Sequence, residues 1–284
     1  MNTGLGLPIS DPASLLDWAR RADTGPFTTL GLLDRLVYDN PEPLVTLAAI
    51  AGATTRIRVQ TEVLVAPLRD AVLLAKQAAT LDRISGGRFV LGLGVGDAIR
   101  REDLLAAGTD VHSRGRRLDE QVVLMRRIWS GEPYGDDIGH IGPAPARDGG
   151  PEVLFGGSGS AAVKRVARWG DGFLGASPPA STGNLFRAVE QAWQAAGRSG
   201  TPRLVAQVNV ALGPEDVIDD ARKALTDYYA YTGDPGQTVN RMLTSPAQIR
   251  KAMADFADLG ADEVMLYCWS GDTDQVDRLA DVVA

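Results

Sequence analysis

Histidine is nearly absent from this 284-residue chain: His112 and His140 are the only two. A metallohydrolase that holds its ion on several imidazoles cannot be assembled from them, and no metal site is expected. Lysine is scarce as well, confined to Lys76, Lys164, Lys223 and Lys251. All four fall in segments with helical periodicity, whereas barrel chemistry sits at strand ends, which disfavours a Schiff-base aldolase. Cys268 is the single cysteine, so no intrachain disulfide can form, and a reducing, cytoplasmic compartment is expected. No apolar run reaches the roughly 18 residues of a membrane span, and the first ten residues lack the basic and apolar regions of a signal peptide. Basic residues are outnumbered, 29 against 36 acidic, for a net charge of −7. That balance offers no footprint for nucleic acid.

Hydrophobic residues make up 44% of the chain, enough for a large core. They come as short apolar runs alternating with amphipathic stretches, the pattern of parallel strands covered by helices. Strands are predicted at Gly4–Ile9, Thr28–Leu33, Arg56–Leu64, Arg88–Leu93, Glu152–Phe155, Gly172–Leu174, Leu204–Ala211 and Glu263–Tyr267. Helices are predicted from Ser10-Asp11-Pro12 onward, then over Glu42–Ala53, Asp70–Ile84, Arg116–Trp129, Ser160–Trp169, Asn184–Ala196, Val217–Tyr231, Pro246–Leu259 and Asp274–Val283. Ser85-Gly86-Gly87 supplies a helix stop. Gly131–Gly150 reads as one long irregular loop, a candidate lid. Eight strands with right-handed crossovers favour a single α/β domain over residues 1–284, a (β/α)8 TIM barrel. A doubly wound open sheet is the alternative.

In such a barrel the loops after the strands make the reaction centre. They bring Asp34-Arg35, Thr61-Glu62-Val63, Gly94-Val95-Gly96-Asp97, Gly156-Gly157-Ser158-Gly159-Ser160, Ser177, Asn209 and Cys268-Trp269 to one end. The strand–glycine–helix run VLFGGSGSAAVKR reads either as a phosphate cradle of main-chain amides or as an ordinary serine-capped turn. Its match to a dinucleotide fingerprint, Gly157-x-Gly159-x-x-Ala162, is incomplete, because the acidic residue comes before the next strand. The glycines at 92, 94 and 96 allow close approach to the main chain, by a flat ring or by a crowded core. Asp34 is either a ring or substrate contact or a turn former. Arg35 either steers an anion or bridges to Asp39. Glu62 either lines the pocket or pairs with an arginine. Asp97 is either a general acid or a cap, His112 a titrating group or a surface residue, and Trp269 a pocket wall. Cys268 lacks a neighbouring base, so it does not read as a nucleophile.

The ordered set Thr55–Gly96 (TRIRVQTEVLVAPLRDAVLLAKQAATLDRISGGRFVLGLGVG), Arg116–Gly131, Pro151–Leu174 and Ser245–Tyr267 resembles the luciferase-like flavin oxidoreductases along nearly the whole chain. The resemblance implies FMN, in its reduced form, or the 8-hydroxy-5-deazaflavin coenzyme, bound at the strand C-termini. It implies a phosphate on Gly156, Gly157, Ser158 and Gly159, and a ring against Thr61, Glu62 and Val63 and against Gly94, Val95 and Gly96. A cis peptide at Glu62–Val63 under that ring is a further implication. So are catalytic roles for Asp34 and Asp97, in the places where deazaflavin users often carry acids. Arg35 stands where some dehydrogenases of this type have a histidine, a departure that weakens alcohol dehydrogenation by that route. The leading expectation is a monooxygenase using reduced FMN and oxygen on a small organic substrate, served by a separate flavin reductase. A deazaflavin-dependent hydride transfer is the alternative, and a non-catalytic flavin-binding subunit or a phosphosugar isomerase the rivals from other classes. A homodimer is implied by the resemblance alone.

Overall fold

A parallel sheet curls until its two ends meet. The computed structural model describes residues 1–7 and 12–284. The strands are β1 (Asn2–Gly6), β2 (Thr29–Leu32), β3 (Arg58–Thr61), β4 (Leu64–Val65), β5 (Phe89–Gly94), β6 (Glu152–Gly156), β7 (Gly172–Gly175), β8 (Arg203–Val210) and β9 (Glu263–Cys268). Their order around the sheet is β3-β2-β1-β9-β8-β7-β6-β5-β4. β3 also pairs with β5, with Val59 opposite Phe89 and Gln60 opposite Val90, and this closes the ring. β3 and β4 are two halves of one barrel strand interrupted at Glu62–Val63, so the count of barrel strands is eight. The single continuous strand expected over Arg56–Leu64 is thus broken, and the break lies where the site is built.

The helices are α1 (Pro12–Thr24), α2 (Pro43–Ala53), α3 (Ala71–Ile84), α4 (Arg101–Ala106), α5 (Arg114–Trp129), α6 (Ser160–Trp169), α7 (Pro179–Ala195), α8 (Glu215–Tyr229), α9 (Gly236–Val239), α10 (Pro246–Asp258) and α11 (Gln275–Val283). Local chemistry sets many of their ends. Glu42 and Asp70 accept from the amides of Val45 (2.8 Å) and Leu73 (2.9 Å), which caps α2 and α3. α3 stops at Ser85 and Gly86, the glycine taking φ +64°. α7 starts five residues before the expected Asn184, because Pro179 suits a first helical turn and the Thr182 hydroxyl donates back to the Ser177 carbonyl (2.7 Å). The expected strand end at Pro8-Ile9 and helix opening at Ser10-Asp11 lie outside the described residues. Gly131–Gly150 carries no helix or strand. It is tied down on the outside of the barrel, where Asp82 accepts from the Ala146 amide (2.7 Å) and Lys76 donates to the Gly142 carbonyl (2.6 Å).

The main core lies between sheet and helices, and a second apolar layer, Val90, Leu154, Leu174, Val205 and Met265 with Val63, fills the barrel interior. Below that layer, the first residues of four strands close the N-terminal end with charge. Arg58 pairs with Glu152, Glu152 with Arg203 (2.9 Å), and Arg203 with the fully buried Glu263. The Thr28 hydroxyl, just ahead of β2, donates to Glu263 (2.6 Å). Among the described residues no helix is long and apolar enough to cross a membrane.

Candidate active site

The C-terminal end of the barrel holds a cavity of about 190 Å3. Its floor is the break between β3 and β4. The Glu62–Val63 peptide is cis, and both residues face the cavity. Glycines shape this floor. A Cβ on Gly92 would stand 2.1 Å from the Thr61 carbonyl oxygen, one on Gly94 2.5 Å from Val63 Cγ2, and one on Gly156 2.8 Å from Val63 Cγ1. These distances leave no room for a side chain, so the glycines of β5 and β6 are the seat of the bulge. Close approach to the main chain was legible at Gly92 and Gly94, and the groups that approach are the Thr61 carbonyl at Gly92 and the Val63 side chain at Gly94.

Glu62 points the other way, onto β2. A Cβ on Gly31 would lie 2.4 Å from its carboxyl carbon. Gln60 Nε2 donates to Glu62 Oε1 (2.5 Å), while Oε2 is buried without a hydrogen-bond partner. Burial is the main cause that pushes the carboxyl pKa up to about 8, with Gln60 opposing and nearby Glu263 adding to the rise. Tyr267, fully buried beside it over Gly6, accepts from the Leu33 amide (2.9 Å).

The remaining walls come from loops far apart in sequence. Asp34 accepts from both terminal nitrogens of Arg69 (2.7 and 3.0 Å) and from the Val65 amide (2.8 Å). Both its oxygens are therefore engaged, in a tie between β2 and β4. Burial raises its pKa against the lowering by Arg69. Arg35 pairs with Asp103 (2.5 Å) and Glu102 (3.1 Å), both on α4. The bridge to Asp39 weighed above is not its partner. Asp97 lies exposed at the rim, accepting from the Ile99 amide (2.9 Å) and the Tyr231 hydroxyl (3.2 Å). Gly96, at φ +74°, turns the chain beside it.

Two features of the wall were not read from the sequence. The short helix α4 sits in the connection after β5, and its Asp103 receives Arg35 and the amides of Leu36 and Val37. At the head of α4, Arg100 lies over the faces of Tyr228 (4.1 Å) and Tyr231 (3.6 Å), with Tyr229 also lining the cavity. The aromatic run Tyr228-Tyr229-Ala230-Tyr231 was the available signal. It was masked because it closes an otherwise ordinary helix. Trp269 packs behind these tyrosines, its ring nitrogen donating to Asn209 (2.8 Å), and lines neither cavity. The Gly131–Gly150 loop lines neither cavity, so it is not a lid in this conformation.

Of the other expected site residues, Thr61 is wholly buried and donates to the Gly92 carbonyl (2.7 Å), below the cavity. Val95 packs on the core, and Gly94 lies beneath Val63. Gly157, Ser158 and Gly159 are exposed at the start of α6, which has no side-chain cap. They line neither cavity, but Gly156 touches Val63, so this turn adjoins the cavity floor. Space above Gly159 is open. His112 is exposed. Burial pushes the Cys268 thiol up to about 12, which leaves it inert.

A second cleft, about 520 Å3, opens beyond Tyr229 between the ends of β7 and β8 and the helices α9 and α10. Its walls mix Met242, Leu243 and Phe256 with Asn209, Arg241 and Lys251. Tyr229 belongs to both spaces.

Comparison with known proteins places this architecture. A family model described as luciferase-like monooxygenase matches residues 2–281. An F420-dependent glucose-6-phosphate dehydrogenase from Nakamurella multipartita is 32% identical over 204 residues, 66% of this chain and 60% of that protein. The chain spans about 60% of the length of the curated relatives it matches. In structure, an F420-dependent secondary alcohol dehydrogenase aligns with TM-score 0.84 at 19% identity, over 99% of this chain and 97% of that one. A monooxygenase from Streptomyces bottropensis aligns with TM-score 0.80 at 21% identity, over the same shares. The structural matches confirm the closed barrel, and on the strength of the match along residues 2–281 the chain belongs to the luciferase-like monooxygenase family.

Proposed function

We propose that the protein transfers a hydride between a small organic substrate and the 8-hydroxy-5-deazaflavin coenzyme. The observation that carries this reading is the cavity floored by Glu62–Val63 at the C-terminal end of the barrel, joined through Val63 to the open turn at Gly156–Ser160. The residues fit such a coenzyme. An uncapped helix start with exposed glycines offers main-chain amides to a phosphate, and the unpartnered Glu62 Oε2 offers a polar contact to a ring edge. The coenzyme, when bound, supplies a carbon that gives or accepts the hydride. Val63 supports the ring, and Asp34, fixed by Arg69, holds β2 against β4 beside it. Asp97, at the rim with access to water, exchanges the substrate's proton. The tyrosines over Arg100 exclude water from above. The larger cleft takes the part of the substrate remote from the reaction.

The dehydrogenase relative, matched over 66% of this chain, supports the deazaflavin over FMN. The family description supports the second reading, a monooxygenase in which a separate reductase provides reduced FMN. Titration of the protein with each cofactor separates them. The proposal expects tight binding of the deazaflavin, and substrate-dependent bleaching or recovery of its absorbance without oxygen. Binding of FMN alone, with turnover that needs oxygen, would replace it with the second reading. In either case a homodimer is proposed, and light scattering measures it.

A further inference from the structure

Four carboxyls stand at the mouth of the barrel, and they are not equivalent. Asp34 is held by Arg69, and Asp103 by Arg35. Asp97 is exposed and takes a hydroxyl from Tyr231. Glu62 is buried in the floor, with one oxygen on the Gln60 amide and the other on nothing. The groups around it do not supply a cation. β2 presents Gly31, which has no side chain. β9 presents the Tyr267 ring and, deeper, Glu263. From β8, Arg203 acts only at a distance, already paired with Glu152 and Glu263. The cavity's own cations are engaged, Arg35 by carboxylates and Arg100 by tyrosine faces, and Arg69 behind the wall is held by Asp34.

A buried carboxylate without a partner is costly, and the group escapes by holding a proton. The proton then sits on Oε2, a buried oxygen without a hydrogen-bond partner on a residue of the cavity floor, which is itself unfavourable. Both costs vanish when something with a lone pair enters the cavity.

We infer that Glu62 is a proton-linked binding residue: as a neutral carboxylic acid, its Oε2–H donates to a hydrogen-bond acceptor on the molecule that fills the cavity, so that filling the site from the ionised state draws one proton from solvent. The occupant is an aromatic heterocycle with a carbonyl or unprotonated ring nitrogen at the edge facing β2. The inference rests on the reading of the cavity as the coenzyme site. No bond to the occupant is made or broken; the proton moves from water to Glu62 and stays there.

Two measurements test it. The first needs no ligand. The infrared difference spectrum between wild type and Glu62→Gln, followed across the value near 8, contains the band of a protonated buried carboxyl on the acid side, and loses it on the alkaline side. Absence of that band on the acid side overturns the inference. The second is calorimetric titration with the deazaflavin, and with FMN, about one pH unit above that value, in two buffers of different ionisation enthalpy. Wild type takes up close to one proton per site, and its affinity falls roughly tenfold per further pH unit. Glu62→Gln takes up none and binds with an affinity independent of pH. Equal proton uptake by the two proteins overturns the inference. If wild type binds neither cofactor on the acid side, the coenzyme reading fails, and the infrared titration alone decides whether Glu62 holds its proton.

Discussion

The two ends of the barrel treat buried charge in opposite ways. At the N-terminal end, Arg58, Glu152, Arg203 and Glu263 alternate in sign around the ring, and each is paired. Burial there works to raise the Glu152 carboxyl, but Arg203 and Arg58 outweigh it and hold it below the ordinary range. At the C-terminal end a carboxyl of the same type, Glu62, is left without a cation and goes up to about 8. Glu152 opens β6 and Glu62 lies in the break between β3 and β4, so both belong to the same barrel wall. What decides is what the other strands turn toward the carboxyl: Arg58 and Arg203, at the starts of β3 and β8, toward Glu152, but Gly31 and Tyr267 toward Glu62. One end is built for stability. The other holds a carboxyl oxygen that the protein itself leaves without a partner.

The largest expected effect comes from the pH dependence of this difference. A folded-state value raised from 4.5 to about 8 favours folding below the ordinary carboxyl range and withdraws that support as pH rises through 8. At about 1.4 kcal/mol per pH unit, this one group accounts for about 5 kcal/mol lost between acid and alkaline conditions. Glu62→Gln is expected to abolish that loss, measured as the urea midpoint against pH. The lowered Glu152 contributes with the opposite sign, losing its support as pH falls below the ordinary carboxyl range. An alkaline limb unchanged by Glu62→Gln would show that the two ends do not differ in the way described.

Next in size is Arg203→Met. It leaves Glu263 and Glu152 facing each other in a closed space, and removal of one partner of a buried ion pair costs about 3–5 kcal/mol. The destabilisation should shrink as acid neutralises the two carboxylates. Chemical denaturation at neutral and acid pH measures both parts. A loss that does not depend on pH would mean that Arg203 matters for packing rather than for charge.

The barrel was legible in the sequence because its evidence is local. Periodicity, the caps at Glu42 and Asp70, and the stop at Gly86 each belong to one segment. The strand-end rule likewise brought Asp34, Glu62 and Asp97 to one mouth. What escaped was set by topology. The break between β3 and β4 lies inside RIRVQTEVL, an unbroken strand by pattern; the family resemblance alone pointed to it, through the cis bond at Glu62–Val63 that the structure has, and the glycines on β5 and β6 make room for it. Asp34 was open between contact and turn former, because its partner Arg69 comes 35 residues later. The connection after β5 hid α4, and the tyrosines of α8 reach Arg100 from 128 residues away. A single chain gives no local trace of such pairs.

The smallest effect is the one that sharpens the comparison most. Arg100 is as buried as a paired arginine, yet among the described residues it has no carboxylate partner. Its charge rests on the faces of Tyr228 and Tyr231, it donates to the Tyr228 carbonyl, and its Nε is unpartnered. Replacing it by methionine leaves behind neutral rings and one carbonyl rather than bare charges. The expected loss is therefore about 0.5–2 kcal/mol, the range of a cation over an aromatic face, well under that of Arg203→Met. Its consequence should be local. Residues 228–232, no longer held across the cavity, should exchange their amide hydrogens faster while the strands keep their protection. A destabilisation as large as that of Arg203→Met, with exchange accelerated throughout the barrel, would mean that the C-terminal end is braced as firmly as the N-terminal one. The cavity wall could then not open for a substrate where we place it.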